Sequence, residues 1–180
     1  MSHAATEKQT IDQILVALPL KEQWTKAIFS RLNKVVSIPS NALVLDVGAA
    51  AGGFLVGCSK LGYRSIGVEP WEEARENAKK LAERLDIPIN IVKGAAETLP
   101  FEGNKFDVVH ASSVFEHVLD IERAFREAYR VLKPGGVLWF STASSMCPMQ
   151  NEIRGFPFFG WYPDSIKLRV MNWAKLIRLI

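Results

Sequence analysis

A loop of very small side chains, placed directly after a short apolar run, most constrains what this chain can fold into. The run at residues 43–47 contains Asp46 and leads into residues 48–53, which are only glycine and alanine. Side chains of this size allow a tight turn from a buried strand into a helix, and they leave the backbone accessible to a ligand. Glu69 ends the next predicted strand, where a carboxylate can hold both hydroxyls of a ribose. Together the two features predict a site for a nucleoside-containing cofactor.

Strand and helix patterns alternate after an N-terminal helical segment. That helix is predicted over residues 11–36, with Trp24, Ile28, Leu32 and Val35 as its inward stripe. Strands are predicted at residues 43–47, 64–69, 89–93, 106–111 and 136–141, and several are continuous apolar runs typical of strands buried on both faces. The alternation predicts an α/β fold with a doubly wound, mainly parallel, Rossmann-like sheet and helices on both faces.

The bulk properties fit one globular domain. The chain has 180 residues, of which 48% are hydrophobic and 23% charged. Residues 1–10 are expected to be a disordered tail and residues 11–180 a single domain. Within it we expect an N-terminal helical cap (11–40), a cofactor-binding core (41–142), and an aromatic loop with a C-terminal helix (143–180).

Composition also excludes several classes of function. The formal charge of +3 is too small to indicate nucleic acid as a partner. Cys58 and Cys147 form neither a disulfide framework nor a metal quartet, and Cys58 is expected to be a small buried side chain. The N-terminus has no signal-peptide pattern, and residues 15–20 are too short an apolar run to span a bilayer. A cytoplasmic protein is therefore expected.

The glycine loop by itself leaves several ligands open. A P-loop needs a Lys-Ser/Thr pair, but Phe54-Leu55 follows here. A dinucleotide fingerprint needs a middle glycine, and Ala50 stands in its place. A cofactor without phosphates tolerates a methyl group at that position and fits best. A strand-to-helix turn that binds nothing also stays open.

Segments in the right order along residues 43–142 resemble the class I S-adenosylmethionine-dependent methyltransferases. They are residues 46–52 (DVGAAAG), Glu69, 94–101 (GAAETLPF), 106–109 (FDVV) with 114–118 (VFEHV), and 130–136 (RVLKPGG). The resemblance implies S-adenosylmethionine as cofactor, S-adenosylhomocysteine as product, and the strand order 3-2-1-4-5. Ala50 and Ala95 depart from the family pattern, since Ala95 stands where an acidic residue often contacts adenine.

The resemblance also implies roles for the residues of the loop and of the strand ends. The backbone of Gly48, Ala49, Ala50 and Gly52 would face the methionine part of the cofactor. Asp46 would orient the loop or its bound water, or cap the loop's own amides. Ser112 would lie beneath the methionine group.

The nucleoside part of the cofactor would lie farther along the same edge. Glu69 would accept both ribose hydroxyls, with a solvated strand end as the alternative. Pro70 and Trp71 would cover one adenine face, unless Trp71 packs between helices. Ala96 and Glu97 would line the adenine edge.

Catalysis has one histidine candidate. His117 would be the base for an acceptor that must lose a proton, or else an interior histidine that holds the loop after the fourth strand. His110 lies inside the fourth strand and is expected to be structural. Glu116-His117 resembles part of an E-x-x-E-H metal motif, but Ser113 occupies its first acidic position, so no metal is expected.

The C-terminal third leaves more alternatives. Residues 155–163 (GFPFFGWYP) form either an apolar, substrate-facing lid or a surface packed on the N-terminal helix. Residues 166–180 form a basic helix whose charged face meets solvent or an anionic membrane. The usual sixth and seventh strands have no counterpart in the sequence, so a truncated or shortened chain is expected, with a sheet edge open to a partner or a second copy.

The sequence therefore predicts an S-adenosylmethionine-dependent methyltransferase. Its acceptor would be an O, N or C atom of a small or lipid-like molecule, as in the broad group that includes quinone-biosynthesis enzymes. The alternatives are an S-adenosylmethionine-binding module without turnover and a nicotinamide-dependent oxidoreductase.

Overall fold

Strands and helices alternate along residues 10–142, the part of the chain that the computed structural model describes. The elements are α1 (Ile11–Leu32), β1 (Leu43–Val47), α2 (Gly53–Lys60), β2 (Arg64–Val68), α3 (Glu72–Leu85), β3 (Ile91–Val92), β4 (Phe106–Ser112), α4 (Ile121–Val131) and β5 (Leu132–Ser141). The expectations for residues 1–9 and 143–180, including the aromatic loop and the basic helix, lie outside the described residues. The division of the chain into domains also stays a prediction.

The described strands form one sheet in the order β3-β2-β1-β4-β5, and every neighbouring pair is parallel. The predicted fold class is therefore confirmed. β1 lies in the centre, where Leu45 pairs with Ile66 of β2 and with Val109 of β4. Because the strands are parallel, the loops that leave their carboxyl ends meet along one edge of the sheet.

Alternate residues of the central strands face two different helical layers. Leu45 and Val109 belong to a buried cluster with residues of α4. Val44 and Val108 belong to another, which contains residues of α1 and α2. Asp46 and His110 follow Val44 and Val108 at a spacing of two, so they lie on the α1/α2 face.

The predicted inward stripe of α1 is wrong in two positions. Trp24 is 58% exposed, and Val35 lies beyond the helix end and is 89% exposed. The buried positions are Ile14, Leu18, Thr25, Phe29 and Leu32. Thr25 tolerates burial because its hydroxyl donates to the carbonyl oxygen of Lys21 at 2.8 Å. Thr25 thus occupies the buried position that the apolar pattern had assigned to Trp24.

The short helix α2 approaches α1 closely at Gly57. A Cβ atom built at Gly57 would lie 2.4 Å from Oγ1 and 2.6 Å from Cβ of Thr25. Thr25 is fully buried, so its side chain has no free space to move into. The glycine is required for the contact between the two helices.

Two strands differ from their predicted extents. β3 is limited to Ile91–Val92, although residues 89–93 had been predicted. β5 begins directly after α4 ends, and its pairing with β4 shifts between Phe106↔Leu132 and Val108↔Val137. The insertion contains Pro134-Gly135, and Gly135 adopts a φ of 79°, so this pair forms a bulge in the strand.

No helix within residues 10–142 is both long enough and apolar enough to cross a bilayer. The cytoplasmic location stays a prediction.

The α1–α2 contact gives a prediction for stability. Gly57→Ala should lower the free energy of unfolding by about 1–3 kcal/mol, because the added methyl group overpacks a fixed site. Gly53→Ala, in the same helix, is the matched control, because its Cβ would meet the flexible Lys21 side chain at 3.3 Å and Cδ1 of Leu18 at 4.0 Å, an ordinary contact distance. Urea denaturation should show the control within about 0.5 kcal/mol of the wild type or above it. Equal stability of the two variants would contradict the close contact.

Candidate cofactor site

The residues singled out by the sequence lie at the carboxyl edge of the sheet. Residues 48–52 connect β1 to α2, and Glu69 with Pro70 follows β2. Ala96 and Glu97 come after β3, and Ser112 is the last residue of β4. The structure thus brings segments that are distant in sequence to one edge of one sheet.

The glycine loop turns through three left-handed residues. Gly48, Ala50 and Gly52 have φ values of 71°, 47° and 80°. A Cβ at Gly48 would lie 2.6 Å from Cγ2 of Val114, so only glycine fits there. Ala50 accepts the left-handed conformation at a cost of about 1–2 kcal/mol for an L-residue, and it is exposed to solvent.

The loop is fastened to β2 through its backbone. The amides of Gly48 and Ala49 both donate to the carbonyl oxygen of Val68, at 2.8 and 3.0 Å. The amide of Gly52 then donates to the carbonyl oxygen of Ala49 at 2.8 Å. These bonds fix the turn before any ligand is present.

Glu69 joins the loops that follow β1 and β2. Its carboxylate is buried, with 4% of the residue exposed. One oxygen accepts from the amide of Ala50 at 2.9 Å, and the other accepts from the amide of Trp71 at 3.0 Å. Each carboxylate oxygen has a second lone pair, so the side chain retains the capacity to accept two further hydrogen bonds. These two acceptor sites fit a ribose diol, whose hydroxyls can both donate.

The exit from β2 is held by Arg75. Its guanidinium donates to the carbonyl oxygens of Glu69 and Pro70, at 2.9 and 2.7 Å. Pro70 is exposed, and Trp71 is 64% exposed. Trp71 therefore does not pack between helices, which was one of its two expected roles.

The segment that contains Ala96 and Glu97 is anchored at both ends. Ala96 is buried, and the Glu97 carboxylate accepts from the amide of Leu119 at 2.9 Å. Glu127 of α4 accepts from the amide of Leu99 at 2.8 Å, and Arg130 donates to the carbonyl oxygen of Leu99 at 3.1 Å. The two α4 residues form a clamp that sequence reasoning missed.

The clamp residues also pair with each other. Arg130 donates to both carboxylate oxygens of Glu127, at 2.7 and 2.8 Å. These bonds lower the pKa of the Glu127 carboxyl and raise that of the Arg130 guanidinium. Their i, i+3 spacing on a predicted helix was the available sequence signal for an ion pair, but it did not reveal the segment that they hold.

Asp46 and His110 form a buried pair across β1 and β4. They are direct partners in the strand register, and Nδ1 of His110 lies 2.6 Å from Oδ1 of Asp46. The imidazole stacks on the ring of Phe54, with centroids 3.8 Å apart and planes at 7°. The hydrogen bond shown for Asp46 is thus to His110. Its expected roles, which are to orient the loop or its bound water or to cap the loop amides, stay predictions.

Cys58, on α2, lies close to the pair formed by Asp46 and His110. Its side chain is buried, as expected. Burial raises the pKa of the thiol, and the charge of Asp46 raises it further. The thiol therefore stays neutral at physiological pH and adds no charge beside the pair.

The end of β4 carries the remaining candidates. The hydroxyl of Ser112 lies 2.8 Å from that of Ser141, its register partner on β5. His117 is exposed on the segment after β4, and its backbone amide donates to the carbonyl oxygen of Val114 at 2.9 Å. The role of His117 stays a prediction.

Among residues 10–142, no three His, Cys, Asp or Glu side chains lie together in a way that could hold a metal ion. The expectation that the protein uses no metal stays a prediction.

Comparison with known proteins agrees with this geometry. The family model described as a methyltransferase domain matches residues 45–140. The ubiquinone/menaquinone biosynthesis C-methyltransferase UbiE of Nitrobacter hamburgensis is 32% identical over 78% of this chain. A ubiquinone biosynthesis O-methyltransferase of Methylocella silvestris is 26% identical over 88%.

A solved structure shows the same fold. It is a candidate S-adenosyl-L-methionine-dependent methyltransferase of Methanococcus maripaludis, with a TM-score of 0.65 and 22% identity. The match covers 79% of this chain and 67% of that one. The chain spans only 58% and 65% of the length of the two curated relatives.

The α4 clamp gives a prediction with a defined pH dependence. Glu127→Gln should lower the free energy of unfolding by about 1 kcal/mol at pH 7, because it removes a charge-assisted hydrogen bond to Arg130. Arg130 is 40% exposed, so solvent screening keeps the effect small. Because folding lowers the pKa of Glu127, its contribution is present above the ordinary glutamate pKa of about 4.3 and is lost as the pH falls through the lower folded value.

Urea denaturation at pH 7 and pH 3 measures this difference. The gap between wild type and Glu127→Gln should shrink at pH 3, while Glu83→Gln, an exposed substitution on α3, should match the wild type at both values. A gap that is constant with pH would argue against the ion pair.

Proposed function

This chain belongs to the class I S-adenosylmethionine-dependent methyltransferases, and from that membership we propose that it methylates an oxygen or carbon atom of a small, lipid-like, hydroxylated aromatic compound. When bound, the cofactor supplies a methyl group on a positively charged sulfur for in-line displacement. The names of two relatives in ubiquinone biosynthesis, one a C-methyltransferase and one an O-methyltransferase, support this acceptor class. A phenolic ring offers both atoms, since its oxygen and its neighbouring carbons are nucleophilic.

The buried Glu69 carboxylate is the observation that carries the cofactor assignment for this chain. We propose that its two remaining lone pairs accept the ribose hydroxyls. Two backbone amides fix the carboxylate in place, so the site loses little side-chain freedom when the nucleoside binds. A solvated strand end, the alternative, would not be buried to this degree.

The neighbouring candidates complete the proposed cofactor site. The turn formed by Gly48, Ala49, Ala50 and Gly52 would face the methionine part, with Asp46 behind it and Ser112 beneath. Pro70, Ala96 and Glu97 would surround the adenine. The bonds of Glu97 to Leu119 and of Glu127 to Leu99 would hold the adenine segment in place.

Other parts of the prediction remain open to test. A base at His117 is one, and its exposed imidazole at the same edge of the sheet is compatible with it. Another is that the protein has no nucleic-acid partner. Contact with a membrane surface and an oligomer formed through a sheet edge also stay open to test. A binding module without turnover is the main alternative.

The cofactor assignment predicts the effect of one substitution. Glu69→Gln should weaken S-adenosylhomocysteine binding by about 10- to 150-fold, because hydrogen bonds to a charged group contribute roughly 1.5–3 kcal/mol each. Titration calorimetry measures the affinity, with Glu83→Gln on the exposed face of α3 as the matched control. Binding of NADH in place of S-adenosylhomocysteine would favour the oxidoreductase alternative. An unchanged affinity for Glu69→Gln would remove Glu69 from the ribose site.

Turnover is a separate prediction. With S-adenosylmethionine as donor, catechol and a 2-prenylphenol should each yield S-adenosylhomocysteine and a methylated product, identified by mass spectrometry. The prenylated probe is expected to have the lower KM, because its chain buries apolar surface. Cofactor binding without transfer to either phenol would favour the binding module.

A further inference from the structure

His110 has a bonding arrangement that a purely structural histidine does not require. The imidazole is 6% exposed, and its Nδ1 lies 2.6 Å from Oδ1 of Asp46. An ionised carboxylate can only accept a hydrogen bond, so Nδ1 carries the proton. In the neutral imidazole the other ring nitrogen, Nε2, is then an acceptor with a free lone pair.

Nε2 of His110 is not fully shielded from solvent. Among residues 10–142, every side-chain nitrogen or oxygen that is fully shielded from solvent has a hydrogen-bond partner. Within the described residues, the His110 side chain forms a hydrogen bond only through Nδ1. Because Nε2 has no partner there, it cannot be one of the fully shielded atoms. Water can therefore reach Nε2, although the residue as a whole is buried.

The imidazole ring lies near the end of the glycine loop. The imidazole stacks on Phe54, the second residue of α2, which begins where the loop ends. Ser112 follows His110 by two residues and so lies on the same face, roughly 7 Å farther toward the carboxyl edge. Its hydroxyl and that of Ser141 continue a polar row from His110 to the end of the sheet.

From this geometry we propose that Asp46 and His110 act as a dyad, in which Asp46 fixes the imidazole and Nε2 of His110 accepts the proton that the methyl acceptor loses. The inference rests on the proposed function. The acceptor's O–H bond breaks and its proton goes to Nε2, while the oxygen bonds to the methyl carbon. The sulfur–methyl bond breaks and its electron pair stays on sulfur, which becomes neutral.

The dyad satisfies the requirements of a general base. A carboxylate that holds Nδ1 fixes the tautomer and stabilises the imidazolium that forms on Nε2. Phe54 fixes the plane of the imidazole ring, so the ring has little rotational freedom to lose in the reaction. His117, in contrast, is exposed, and its one hydrogen bond in the described residues comes from its backbone amide.

Nitrogen-15 NMR of the histidine side chains tests the dyad without an acceptor. The wild type is labelled at histidine, and the His110 signals are assigned by elimination with His3→Gln and His117→Gln. At neutral pH His110 should show the Nδ1–H tautomer, and S-adenosylhomocysteine should shift its Nε2 resonance. An Nε2–H tautomer, or an Nε2 resonance unchanged by bound S-adenosylhomocysteine, would overturn the proposal.

Kinetics with catechol and the 2-prenylphenol test the catalytic role. His110→Gln should lower kcat by about 10²–10⁴-fold, as for loss of a general base, and should remove the limb of the pH–rate profile that reports deprotonation of His110. Its affinity for S-adenosylhomocysteine should stay within about threefold of wild type, which also shows that the variant folds. Asp46→Asn should lower kcat as well, and Glu83→Gln should not.

The outcomes of these experiments distinguish a failure of the dyad proposal from a failure of the proposed function. If His117→Gln removes the pH-dependent limb and His110→Gln does not, His117 is the base and the dyad proposal is wrong. If the wild type binds S-adenosylhomocysteine but methylates neither phenol, the proposed acceptor class fails, and the tautomer with the shift of Nε2 still decides whether His110 faces the donor site. Because the NMR arm uses wild-type His110, it does not depend on the folding of a His110 variant.

Discussion

The parallel pairing of β1 with β2 on one side and β4 on the other is the constraint on which the rest of the structure depends. It aligns Asp46 with Gly67 and with His110, and it brings the carboxyl ends of the strands to one edge. The loops leaving that edge can then exchange hydrogen bonds, as the glycine loop does with the carbonyl oxygen of Val68. A slip of one residue in either pairing would turn the aligned side chains to the opposite face.

Two buried carboxylates at this edge have different partners, and the difference suits different chemistry. Within residues 10–142, Glu69 accepts only from backbone amides and keeps one lone pair on each oxygen, which suits a neutral diol. Asp46 bonds an imidazole, which suits control of a proton. Hydrogen bonds within the chain fix both carboxylates before a ligand arrives. Binding therefore costs little free energy for immobilising these side chains.

The sequence predicted the features that depend on local pattern and missed those that depend on approach between elements. The β1 boundaries and the parallel, doubly wound sheet followed from apolar runs and turn residues, and the strand order followed from the family resemblance. The inward face of α1 did not, because Thr25 is buried only where Gly57 lets α2 come close. Pro134-Gly135 interrupts regular structure in a helix and in a strand alike. Only the pairing with β4 decides that the interruption is a bulge within β5.

Residue by residue, the sequence alone determined the class of fold and the segments that surround the cofactor edge, because small side chains after a strand and acidic residues at strand ends carry local signals. It could not determine that Glu69 bonds Ala50, that Glu127 and Arg130 hold the segment after β3, or that Asp46 bonds His110. Those contacts join residues far apart in the chain, and their partners are selected by strand register and helix packing. The pair Asp46 and His110 is 64 positions apart, and only the adjacency of β1 and β4 gives the histidine its carboxylate.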